Sequence, residues 1–139
     1  MPLLTRLFIK AGLLYLVVAL LMGSLLLARP VFDLPSSIAA LNPVYLHLFM
    51  VGWVTQLIIG IVFWMFPKFS REKPRGNEKL AWAVFFLLNA GLLLRAVGEP
   101  LNALNPAAGA GWMLVLSALL QWAAGMGFIA NTWARVKER

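Results

Sequence analysis

Residues 44–66 read VYLHLFMVGWVTQLIIGIVFWMF, twenty-three positions without an Asp, Glu, Lys or Arg. As an α-helix this stretch would be about 34 Å long, enough to cross the roughly 30 Å hydrocarbon core of a bilayer. Asn42-Pro43 in front of it reads as a helix start, with Asn as cap and Pro at the first helical position. Pro67 stops it at the other end.

The same reading extends outward in both directions. Residues 7–28, 80–97 and 111–133 are three further apolar runs, separated by short polar or Pro-containing connections. The expected fold is therefore an all-α membrane protein, with residues 1–139 forming one four-helix transmembrane bundle. The first run begins like a signal peptide, with Arg6 and Lys10. It lasts longer than a signal core, and no small-x-small cleavage site leads into a soluble domain, so it reads as a retained helix. Residues 35–41 suggest a short interfacial helix, and Glu99-Pro100 is expected to close the third span.

Composition agrees. The chain is 62% hydrophobic and 12% charged, too few charges to cover a soluble surface. With no cysteine, disulfides, thiolate metal sites and covalently attached heme are excluded. The net charge of +7 does not point to nucleic acid, because the basic residues flank apolar spans. Arg6, Lys10, Lys68, Arg71, Lys73, Arg75, Lys79, Arg135, Lys137 and Arg139 fall on one side, against Arg29 and Arg95 on the other. The positive-inside rule then places both termini and the middle loop in the cytoplasm, and the chain in the inner membrane of a prokaryote. Trp64, Trp82, Trp112 and Trp133 lie near span ends, where interfacial tryptophans belong.

Polar residues inside spans should face other helices. Gln56, Asn89, Ser117 and Gln121 are expected to be interhelical glue. The Ala123-x3-Gly127 spacing is a weak packing or dimer signal. All five acidic residues are placed in loops, ends or tail, which leaves no intramembrane carboxylate for a proton relay. No hydrolase arrangement, phosphate loop or dinucleotide fingerprint is visible.

His47 is the only histidine, about one turn inside the outer end of span two. An ionisable residue at such a depth is costly and is read first as functional; the ordinary alternative is a hydrogen bond to a neighbouring helix or headgroup. Neutral imidazole is a heme ligand. At 100° per residue Met50, Val54, Ile58, Ile61 and Met65 share its face, suited to a porphyrin plane and equally to packing. Arg29 and Arg95 emerge on the same side of the membrane, where they could pair with heme propionates. Their ordinary roles are a helix-end anchor for Arg29 and an i,i+4 pair with Glu99 for Arg95.

The stretch NPVYLHLFMVGWVTQLIIGIVFWMFPKF, residues 42–69, resembles the second helix of the heme–copper oxidase catalytic subunit superfamily, most of all its nitric oxide reductase-like branch. The resemblance implies a low-spin heme b bound by His47, with Trp64 to Pro67 matching the cytoplasmic helix end. It covers about 28 residues well. The chain departs from that family in having four spans and one histidine, without ligands for an active-site heme and its partner metal. Oxygen or nitric oxide reduction by this chain alone is therefore not expected. The resulting expectation is a small heme-binding membrane protein for electron transfer or gas binding. It would hold one heme per protomer or one shared by a homodimer, with a respiratory-chain redox partner. The sixth iron position is left to a second His47, to Met113 or Met22, or to a gas. The alternatives are a cofactor-free structural or assembly subunit of a respiratory complex and, more weakly, copper or heme handling through His47 and Met50.

Overall fold

A computed structural model describes residues 1–136; the tail residues Lys137, Glu138 and Arg139 lie outside the described residues. Four helices are long and apolar enough to cross a membrane: α1 (Leu3–Ala28), α2 (Ser36–Met65), α3 (Glu78–Leu104) and α4 (Gly111–Arg135). They alternate in direction, so the N-terminus, the α2–α3 loop and the end of α4 meet at one basic end. There Pro2, Leu3 and Leu4 share a cavity with Phe63, Arg75, Glu78 and Trp82. The outward faces are apolar, with residues such as Leu14, Leu27, Phe86 and Trp122 exposed. That inverts the surface of a soluble protein and suits a hydrocarbon surrounding.

Two helix boundaries differ from the sequence reading. Residues 36–41 form the 3₁₀ start of α2, and Asn42 makes no side-chain cap bond. Pro43 is accommodated because the α-helical part of α2 begins at Asn42, so its missing N–H falls in the first turn, where those groups lack intrahelical partners. The third helix does not end at Glu99-Pro100. It passes through Pro100 to Leu104, where the Asn105 N–H reaches the Leu101 carbonyl at 2.9 Å. Breaking there would have freed a whole turn of backbone groups, whereas continuing sacrifices about one hydrogen bond. At its start, Asn77 caps α3 by accepting from the Leu80 N–H at 3.2 Å, with Glu78 in the first turn at the positive end of the helix dipole.

The core is assembled from all four helices. Leu4, Phe8 and Ala19 of α1 meet Val44, Leu48, Ile59 and Phe63 of α2, Ala81, Val84, Leu88 and Leu92 of α3, and Ala124 of α4. Phe8 and Phe85 pack edge to face at 5.0 Å between ring centroids. Gly127 packs against Val84 and Leu80 of α3, so the Ala123-x3-Gly127 seam is used within the chain.

Polar residues bind the bundle as expected. The Tyr15 hydroxyl donates to Asn89 Oδ1 at 3.0 Å, and the amides of Gln56 and Asn89 exchange bonds of 3.2 and 3.3 Å. This joins α1, α2 and α3 through one side chain. Ser117 Oγ donates to the Gly91 carbonyl at 2.7 Å and accepts from Gln121 Nε2 at 2.9 Å, joining α3 to α4. Asn89→Leu should therefore cost about 2 kcal/mol in a detergent unfolding titration, because Gln56, fully buried, is left unpaired. Removing both amides, Gln56→Leu with Asn89→Leu, should cost less than the two single changes summed. Strict additivity would show that the amides do not interact.

Candidate functional site

The candidate site sits at the end of the bundle opposite the basic loop, where α2 and α3 cross. His47 Nδ1 lies 2.9 Å from the Pro43 carbonyl, one turn earlier in the same helix. A carbonyl can only accept, so Nδ1 carries the proton. In the neutral form of the ring the lone pair falls on Nε2, and Nε2 makes no hydrogen bond among the described residues. A backbone carbonyl on one imidazole nitrogen is the arrangement that orients the other toward a metal. The side chain is 30% exposed, so Nε2 is not sealed inside the bundle.

Across from His47 stands Glu99 of α3. Its Oε1 is 3.8 Å from His47 Nδ1 and accepts from Arg95 Nε at 2.7 Å. Glu99 is only 9% exposed, and its Oε2 is buried without a partner among the described residues. This corrects the placement of every carboxylate outside the spans. Because α3 runs through Pro100, Glu99 lies within a helix and faces inward. Arg95 takes the i,i+4 partner that its spacing allowed, yet only Nε is engaged; both terminal nitrogens remain free of hydrogen bonds among the described residues. Arg29 ends α1 and donates from Nη1 to the Ser36 carbonyl at 3.4 Å.

The remaining sequence candidates fall in different places. Met50 is 54% exposed, and Ile58, Ile61 and Met65 also face outward, whereas Val54 is half-buried. Met113 lies on the α3–α4 seam, where a Cβ on Gly98 would meet its Cβ at 3.1 Å. The structure thus brings His47, Arg95 and Glu99 together, and leaves Met50 on the outer surface of α2.

A feature that the periodicity did not disclose begins right after His47. Residues Leu48–Thr55 wind as a π-helix, and Thr55 Oγ1 donates to the Met50 carbonyl five residues back at 2.9 Å. A wider turn changes the angle per residue, yet Met50, Ile58, Ile61 and Met65 remain outward on either side of it. Wide turns of this kind often accompany functional sites. Gly52 lies inside it against the Tyr15 ring. Glu99 was legible only as the i,i+4 partner of Arg95, and nothing local marked it as buried.

No family model matches the chain, and neither a curated protein nor a solved structure matches it.

Proposed function

We propose that the chain is a multi-pass membrane protein, with both termini on the cytoplasmic side, that binds heme b through His47 near the outer surface. The observation that carries this reading is the ring of His47. Nδ1 is held 2.9 Å from the Pro43 carbonyl, which in the neutral ring directs the Nε2 lone pair away from that carbonyl, and the side chain is 30% exposed.

The surrounding residues would suit a heme held by His47. Leu46, Met50 and Ile58 offer apolar surface on the same helix. The free terminal nitrogens of Arg95 and the weakly engaged guanidinium of Arg29 are donors suited to propionates. A bound heme would supply one-electron redox chemistry or gas binding. The chain's own contribution is to fix the imidazole tautomer, shield the ring in apolar surroundings and hold the carboxylates.

Met113 is taken up in the α3–α4 seam and Met22 packs against the core, so neither is free to serve as a second heme ligand. The reading therefore includes a homodimer, with the partner's His47 or an exogenous gas in the sixth position. A redox partner in a respiratory complex would suit the first case.

Absorption spectroscopy of the detergent-purified protein, produced with added heme precursor, tests the proposal. A strong Soret band is expected in the wild type, and none in His47→Ala with its helical circular dichroism retained. A reduced spectrum that carbon monoxide leaves unshifted would favour electron transfer, and a shifted one gas binding. A colourless wild-type preparation would sink the heme and leave a cofactor-free structural subunit.

A further inference from the structure

A cavity of about 630 Å³ lies at the opposite, basic end, between the α2–α3 loop and the end of α4. Its rim carries Lys73 and Lys79, and its walls include Leu80, Ala130 and Ala134. It therefore combines cationic donors with apolar surface at the depth where a helix bundle leaves the hydrocarbon. We propose that this cavity seats an anionic phospholipid, with the headgroup phosphate between Lys73 and Lys79 and an acyl chain along the apolar wall of α3 and α4.

Three observations support it. The cavity is built on a fixed turn. Asn131 Oδ1 accepts from the Asn77 N–H at 2.8 Å, and Gly76, at φ +77°, is pressed so close that a Cβ would meet Asn131 Oδ1 at 2.7 Å. The Asn131 side-chain nitrogen makes no hydrogen bond among the described residues and is left as a neutral donor beside the lysines. The acidic residue in the lining, Glu78, pairs with Arg75 at 3.4 Å, which offsets its repulsion of an anion. Basic pockets between helices at this level are suited to anionic headgroups, and each lysine near such a surface contributes about a fivefold gain in binding. The inference rests on the helices lying in a bilayer and is independent of the heme.

The test titrates the full chain in detergent with phosphatidylglycerol or phosphatidylcholine and counts bound lipid by native mass spectrometry. Two double variants remove the same charge from the same basic end: Lys73→Ala in the loop with Lys79→Ala in the first turn of α3, both lining the cavity, and Lys68→Ala with Arg71→Ala outside it. The cavity pair should weaken phosphatidylglycerol binding about twenty-five-fold and the outside pair hardly at all. All four lysine and arginine side chains are at exposed positions, so both variants should keep the wild-type melting temperature. Equal weakening by the two pairs would reduce the effect to diffuse surface attraction and overturn the proposal. So would phosphatidylcholine bound as tightly as phosphatidylglycerol. Excess inorganic phosphate should not displace the lipid; displacement would reassign the seat to the free anion.

Discussion

Arg135→Ala should lower the unfolding free energy by about 3 kcal/mol, read as a shift in the midpoint of a denaturant titration in detergent. The reason lies at the end of α2. The last carbonyls of any helix lack backbone donors, and here the shortage is worse. The regular donor to the Phe63 carbonyl would be the N–H of residue 67, and residue 67 is proline. Arg135 fills the gap from another helix. Its Nη2 donates to the Phe63 and Phe66 carbonyls at 3.2 and 2.9 Å, and its Nε to the Pro67 carbonyl at 3.0 Å. Arg135 is 1% exposed, and its charge faces the negative end of the α2 dipole. Truncation strands three carbonyls and unlocks the end of α4 from α2. Arg135→Lys should recover only part of the loss, because an ammonium cannot reproduce the planar fork that reaches three acceptors. An unchanged midpoint for Arg135→Ala would mean that α4 is not docked on α2 in this way.

Gly60→Leu should be at least as damaging, with a loss of about 3 kcal/mol or failure to fold. Helices α1 and α2 approach closely along a seam of small residues. A Cβ on Gly60 would lie 2.8 Å from the Phe8 Cβ, and one on Gly52 would lie 2.9 Å from the Tyr15 Cβ. Those neighbours are the stems of large side chains, next to the α1 backbone, so they cannot swing away. The whole helix would have to move. In doing so it would pull Phe8 from Phe85 and Tyr15 from Asn89, loosening the hydrogen-bonded centre as well. Gly125→Ala is the control, because nothing lies within 4 Å of a Cβ there. It should be silent or slightly stabilising through helix propensity. Equal melting temperatures for Gly60→Leu and Gly125→Ala would refute the close α1–α2 seam.

Much of the fold could be read along the chain. Four apolar helices, their approximate spans and the polar residues that tie them follow from length, composition and position. Gln56, Asn89 and Ser117 bind helix to helix, whereas Gln121 donates to Ser117 within α4. The candidate site was legible only in part. His47 announced itself as a lone ionisable group in an apolar run, and Arg95 as the i,i+4 neighbour of Glu99. The burial of Glu99 did not, because a Glu-Pro pair ordinarily ends a helix and here sits inside one. The π-helical turn below His47 also left no periodic trace, although Met50, Ile58, Ile61 and Met65 still share an outward face across it.

By itself, then, the amino-acid order determined which segments are helical and apolar enough to cross a bilayer, and where ionisable groups would be conspicuous. These are properties summed over neighbouring residues, and the hydrocarbon-like surroundings demand them whatever the packing. Tertiary structure decided which groups meet: Glu99 against His47, Arg135 on the open end of α2, Lys73 and Lys79 around one cavity. Those partnerships join residues tens of positions apart, and they depend on which helix faces leave a carbonyl, a ring nitrogen or a space without its own partner.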